Sequence, residues 1–336
     1  MEIARSSAVR MLHSSMVTEV RRIVTSFAAD FGWDQAAIGT ANLIATEMAT
    51  NLVKHASDGT IIINAQNGTG EGQMQIVAVD RGPGMADVAR CLENGYSTAG
   101  SPGTGFGAIK RLSNTFDVMS TPGKGTIVMA DYAPRPAAPA AERRFEVGAF
   151  AVARHGESEC GDAWAARNEG DTLTVMVCDG LGHGAAAADA SRAATECFRG
   201  SVALEPKALL ELAHDALRPT RGAALAFAAI DLEARELRYC GVGNICALVV
   251  SAGAARHLVS HNGIVGHRAA RIAQFNMPWQ AGSALVMHSD GVSGRWRADE
   301  WAGMWVRKPA IVASAIWRDY SRGNDDATVL VARELR

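Results

Sequence analysis

The chain lacks most of what would tie it to nucleic acid, a membrane or an oxidising compartment. Its 33 lysines and arginines stand against 35 aspartates and glutamates, a net charge of -2, which leaves no basic footprint for a phosphate backbone. No apolar run is long enough to cross a bilayer. The opening residues, Met1-Glu2-Ile3-Ala4-Arg5, have no signal-peptide apolar core. The six cysteines contain no Cys-x-x-Cys pair, which argues against zinc or a disulfide framework and for reduced, buried thiols in a cytoplasmic protein. No cysteine is followed six positions later by arginine, so a cysteine-phosphate phosphatase is not indicated. There is no Gly-x-x-x-x-Gly-Lys-Ser/Thr, so a Walker nucleotide loop is excluded by pattern. Internal repeats are absent.

A length of 336 residues suits two domains, each large enough for its own core. The clearest boundary is residues 133–141, with three prolines and five alanines in nine residues, a stiff extended spacer. Domain one is placed at 1–132, a linker at 133–144 and domain two at 145–336.

In the first domain, residues 15–31 carry Val17, Val20, Val24 and Phe27 at helical spacing. A second helix starts after Asp34 and runs to about His55, with Ile44, Met48 and Leu52 facing the core. Glu47, Asn51 and His55 form a neighbouring polar stripe. A strand at 73–79 ends in Asp80-Arg81-Gly82-Pro83-Gly84-Met85. Then come Gly103-Thr104-Gly105-Phe106-Gly107, opening a helix, and Gly123-Lys124-Gly125-Thr126, feeding a strand. Glycines ahead of a helix let backbone N–H groups approach phosphates.

These four motifs, in this order, resemble the GHKL ATPase/kinase superfamily. The resemblance implies that Asn51 holds the Mg²⁺ of Mg-ATP and that Asp80 accepts from the adenine amino group. It implies that Gly82 and Gly84 let the chain pass close to the base, that Gly103, Gly105 and Gly107 form the ATP lid, and that Thr126 supports the adenine end. Glu47 takes the place of a general base for an incoming hydroxyl. With no phosphoacceptor helix ahead of Glu47 and no transducer domain behind, the module is most similar to anti-sigma-factor serine kinases of the RsbT type. These act on STAS-domain proteins. Phe106 departs from the aliphatic residue usual in that lid.

The second domain carries acids at strand ends. Gly161-Asp162-Ala163-Trp164 precedes an apolar strand, 173–178, that delivers Asp179-Gly180. Gly182-His183-Gly184 then opens a helix at about 185–198. A second apolar run, 284–287, delivers Asp290-Gly291, and Asp325-Asp326 precedes a closing strand. Strand-end carboxylates are the hard oxygen donors that divalent cations need. Two such ions activate water against a phosphomonoester. The set resembles the PPM-type metal-dependent Ser/Thr phosphatases of the SpoIIE/RsbX branch. That resemblance implies two Mn²⁺ or Mg²⁺ ions, with Asp179 bridging, the Gly180 carbonyl on one, Asp290 and Asp325 on the other, and Asp162 as a further acid. His183 is open to two readings, a general acid or a residue that merely stabilises its turn.

The expected fold class is α+β: an N-terminal GHKL (Bergerat) α/β sandwich and a C-terminal PPM-type αββα sandwich. The expected function is a bifunctional kinase and phosphatase for STAS-domain regulators, with no nucleic-acid or membrane partner. A sequestering switch that only senses ATP or metal, and a plain ATPase, remain as alternatives.

Overall fold

The structure is a computed structural model that describes residues 2–67, 72–91, 105–135, 144–202, 205–269, 271–301 and 303–335. Contacts gather into two units, residues 3–139 and residues 140–336 with the first two. Residues 136–143 of the expected spacer lie outside the described residues.

The N-terminal unit runs β1 (Glu2–Arg10), α1 (Met16–Asp30), α2 (Gln35–His55), β2 (Thr60–Asn67), β3 (Gln73–Val79), α3 (Val88–Cys91), α4 (Gly105–Leu112), β4 (Thr115–Thr121) and β5 (Gly125–Tyr132). Its strands lie in the order β1-β2-β3-β5-β4, and β3 pairs antiparallel with both β2 and β5. Helices α1, α2 and α4 share one core with this sheet. Asp34 starts α2 where the turn chemistry requires it, its Oδ1 accepting from Ala37 N at 2.8 Å. Ile44, Met48 and Leu52 are all buried, each worth about 1.5–3 kcal/mol. That burial fixes the helix's rotation and turns Glu47 and Asn51 to a half-buried flank.

The C-terminal unit runs β6 (Phe145–Val152), β7 (Asp162–Glu169), β8 (Thr172–Gly180), α5 (Ala185–Gly200), α6 (Pro206–Ala216), β9 (Ala223–Asp231), β10 (Glu236–Val242), β11 (Cys246–Ser251), β12 (Ala254–Leu258), β13 (Gly263–Ile264), β14 (Arg268–Ala269), β15 (Gln274–Pro278), β16 (Ala284–His288), α7 (Pro309–Tyr320) and β17 (Ala327–Glu334). Two large antiparallel sheets form, in the orders β15-β10-β9-β8-β7 and β12-β11-β16-β17-β6, with β13 and β14 as a small antiparallel pair. Helices α5 and α6 pack on the first, and α7 on the second. The result is the expected helix–sheet–sheet–helix layering, and with the N-terminal unit the fold class is α+β. Asp162 itself begins a strand, β7, where the sequence had suggested only an approach to one. All six cysteines are free thiols. Among the described residues, no helix is long and apolar enough to cross a membrane.

Candidate functional site

In the N-terminal unit a cavity of about 460 Å³ opens between α2, the end of β3, β5 and the start of α4, with Asn51, Asp80, Gly84, Gly105, Phe106 and Thr126 in its wall. Its size is that of a small-molecule site. Gly105 comes down on α2: a Cβ there would stand 3.2 Å from Glu47 Oε2 and 3.5 Å from Asn51 Nδ2. Those two side chains therefore meet the first turn of α4 together. Glu47, Gly82 and Gly107 do not line the cavity, Gly107 being buried within α4. Gly103 lies outside the described residues.

Asp80 closes β3 and is 8% exposed. Its Oδ1 accepts from Gly82 N at 2.6 Å, and its own N–H donates to Thr126 O at 2.9 Å. Gly84 sits at φ +70 with its Cβ position 2.2 Å from Thr121 O, so backbone meets backbone there and no side chain fits. The Thr126 and Ser120 hydroxyls lie 2.9 Å apart, and Ser120 Oγ accepts from Met85 N at 2.7 Å. Ser120 thus ties Thr126 to the glycine turn. One serine in an alternating strand gives no signal of this in sequence.

In the C-terminal unit the strand register gathers the acids. Asp162 on β7 is paired directly with Asp179 on β8. Gly180 has no room for a side chain, since a Cβ would stand 2.2 Å from Ala187 O. Asp290, two residues past β16, accepts from Asn244 Nδ2 at 2.7 Å. Asn244 lies in the turn from β10 to β11, and only the tertiary contact reveals its part. The two adjacent acids before β17 divide their work. Asp326 accepts from Arg154 N at 2.6 Å and from Gly161 N at 2.7 Å, so both its oxygens hold backbone. Asp325 accepts from Asp326 N at 2.9 Å through one oxygen.

These carboxylates crowd one another. Burial first, and then the Asp290, Asp325 and Asp326 charges, push Asp179 up to about 7. Burial and the Asp179 charge raise Asp162 well above the usual carboxylate range. Asp326 is raised by burial, while the Arg154 and Gly161 N–H groups hold it down. Asp162 Oδ2 is buried with no hydrogen-bond partner. Among the described residues no three His, Cys, Asp or Glu side chains already enclose an ion, so the acids would have to turn inward to hold one. Mutual repulsion and an orphaned carboxylate oxygen are what a divalent cation relieves. The donor set, carboxylates with a backbone carbonyl, suits Mg²⁺ or Mn²⁺.

Comparison with known proteins follows the same division. Residues 13–130 match the family model described as histidine kinase-like ATPase domain, and residues 169–334 that of stage II sporulation protein E (SpoIIE). Over 127 residues the chain is 34% identical to the serine/threonine-protein kinase RsbT of Bacillus subtilis (strain 168), spanning 37% of this chain and 93% of that protein. Over 145 residues it is 25% identical to the phosphoserine phosphatase RsbX of the same organism, spanning 43% of this chain and 73% of that protein. A solved structure described as the bacterial stressosome, a modular system adapted to control secondary messenger signalling, superposes with a TM-score of 0.53 at 30% identity, over 57% of this chain and 100% of that one. RsbX in complex with magnesium superposes with a TM-score of 0.50 at 20% identity, over 57% and 96%, a likeness of fold. The chain belongs to the histidine kinase-like ATPase domain family through its RsbT-like N-terminal unit, and its C-terminal unit is a SpoIIE/RsbX-like domain with the PPM phosphatase fold.

Proposed function

We propose that the chain is a bifunctional switch. Residues 1–132 form an ATP-dependent protein serine/threonine kinase, residues 133–144 a linker, and residues 145–336 a metal-dependent phosphoserine/phosphothreonine phosphatase. The substrates are STAS-domain regulators of a partner-switching, stressosome-like pathway. The observation that carries the reading is the direct register of Asp162, buried, against the half-buried Asp179, a like-charge pair that makes sense as half of a metal cluster.

For the kinase, Asp80 recognises the adenine amino group, Thr126 and Gly84 shape the base pocket, Gly82 N steadies Asp80 from behind, and Asn51 holds the magnesium of Mg-ATP. Gly105, in the cavity wall at the start of α4, lies nearest the phosphates, and the expected lid glycines at 103 and 107 flank it. Glu47, beside Asn51 at the start of α4, takes the proton of the substrate hydroxyl as its oxygen attacks. For the phosphatase, Asp162, Asp179, the Gly180 carbonyl, Asp290 and Asp325 would hold two Mg²⁺ or Mn²⁺ ions. Such ions, when bound, offset the charge of the phosphate dianion and acidify water. Asn244 orients Asp290, and Asp326 anchors the loop from 154 to 161.

The test is to incubate the chain with labelled ATP and candidate STAS proteins, map the phosphosites, and then chase with Mn²⁺ in the absence of ATP. Serine or threonine labelling followed by its removal supports both activities. ATP turnover that labels no protein would refute the kinase.

A further inference from the structure

The turn between α6 and β9 brings positive charge to the acidic end of the C-terminal sheet. Asp179 and Gly180 of β8 are paired with Ala224 and Ala223 of β9, so the turn that enters β9 meets the turn that leaves β8. Leu181 N donates to Gly222 O at 3.0 Å and ties the two together. Arg221, exposed, sits on this junction. Its Nη1 is 3.2 Å from where a Cβ on Gly182 would stand, so the guanidinium lies against the turn that follows Asp179-Gly180. The junction is held rigid by backbone. Gly222, at φ +77, faces the β13–β14 pair so closely that a Cβ would stand 2.6 Å from Val265 O, a place open only to glycine. Ala223 and Val265 exchange hydrogen bonds at 3.1 and 2.9 Å, and His267 Nε2 lies 3.1 Å from Thr220 O. The next residue, Arg268, is exposed on β14.

Arg218, three residues before Arg221, is paired with Asp215 at 2.9 Å. Arg221 and Arg268 have no ion pair among the described residues, although acids crowd the adjoining strand ends. When that cluster holds its metals its own charge is offset, and the two arginines remain uncompensated. A guanidinium is always charged, and its planar fork fits a carboxylate. Its place also decides which carboxylate it would meet. The Arg221 head group stands against Gly182, three residues along the chain from Asp179, a separation of at most about 10 Å. An extended peptide covers that distance in about three residues. A phosphoserine seated at the acids would thus bring its second or third neighbour, rather than its phosphate, to Arg221.

We propose that Arg221, supported by Arg268 on the adjoining strand, is the specificity-determining contact for an acidic residue two or three positions from the phosphoserine of the substrate protein. This deepens the phosphatase reading above and rests on it. The preferred substrate is a phosphoserine segment with acidic flanks. The metal site handles the phosphoryl group, and the two arginines select the sequence around it.

Three probes test this in the full chain with Mn²⁺. One is p-nitrophenyl phosphate, which has no flanking residues. The others are two phosphoserine peptides that differ only in carrying glutamate or lysine at the second and third positions on either side. The wild type should take the glutamate peptide with a KM about 3-fold to 10-fold lower than the lysine peptide, at similar kcat. High salt should erase that preference. Arg221→Gln should remove it, Arg221→Glu should reverse it, and Arg268→Glu should weaken it. A reversal in favour of lysine is a gain that structural damage cannot produce. A wild type that treats the two peptides alike, or an Arg221→Glu chain that still prefers glutamate, overturns the inference while the phosphatase stands. A folded Arg221→Gln chain that loses p-nitrophenyl phosphate turnover also overturns it, since the arginine would then hold the phosphate itself. A wild-type chain inert on all three probes overturns the phosphatase reading, and this role with it.

Discussion

Asp162 and Asp179 face each other directly across the β7–β8 pair. Opposed like charges are unfavourable in an antiparallel ladder, and burial aggravates the cost. The metal-free protein answers by retaining protons, which is why both carboxyls stand far above the usual range.

That arrangement makes stability depend on pH in a definite direction. Asp179 titrates at about 7 in the folded unit and at about 4 when unfolded. Across that window the folded state holds a proton that the unfolded chain has released, so stability is lost as pH rises. Between pH of about 7 and 8, where Asp179 is already half titrated, it should cost the metal-free unit a further loss of about 0.3–0.4 kcal/mol, a fall of about 1 °C in melting temperature. Asp162 is shifted the same way. His288, lowered by burial, is mostly neutral in both states over this interval and adds little. Melting curves in EDTA should show the fall, and saturating Mg²⁺ or Mn²⁺ should remove it. A flat profile in EDTA would refute the crowding.

The neighbours Asp325 and Asp326 should separate function from folding. Asp326→Ala strips two backbone donors of their acceptor and should cost about 2–4 kcal/mol, or about 5–10 °C. Asp325→Ala should leave the melting temperature of the metal-free protein nearly unchanged and abolish dephosphorylation. Thermal melts and phosphate release on the same two variants decide the assignment, and the opposite pattern would exchange their roles.

Glu47 and Asn51 both adjoin Gly105 but should fail differently. Glu47→Ala should bind Mg-ATP nearly as well as the wild type and transfer no phosphate, because the base is not a phosphate ligand. Asn51→Ala should weaken Mg-ATP binding itself. Calorimetric titration beside a phosphotransfer assay separates the two. Normal substrate labelling by Glu47→Ala would remove its role as base.

Asp80→Asn tests adenine recognition. The amide can present N–H toward the amino group that the carboxylate would accept from. A charge-assisted bond is worth about 1.5–3 kcal/mol, so ATP affinity should fall about 10-fold to 100-fold. Gly82 N, bound to Asp80 Oδ1, can still find an acceptor in the amide oxygen, which keeps the turn intact. Unchanged ATP affinity would refute the assignment.

Much of this architecture is local and therefore written in the chain. Asp34 caps α2 because its side chain reaches three residues along, and the four-residue spacing of Ile44, Met48 and Leu52 decides which face of that helix is buried. The apolar runs ending at Asp179 and Asp290 are strands for the same reason, with side-chain pattern and turn residues lying within a few positions of each other. Pairings between distant segments are another matter. Strand register alone sets Asp162 against Asp179. Sequence puts Asp325 and Asp326 side by side as equals, and only the approach of Arg154 N and Gly161 N makes one of them a loop clasp. Asn244 on Asp290, Ser120 beneath Thr126, and Glu157 on His183 likewise depend on contacts made across the fold. Hydrogen bonds and charge repulsion act over a few ångströms, and only the packed chain decides which residues come that close.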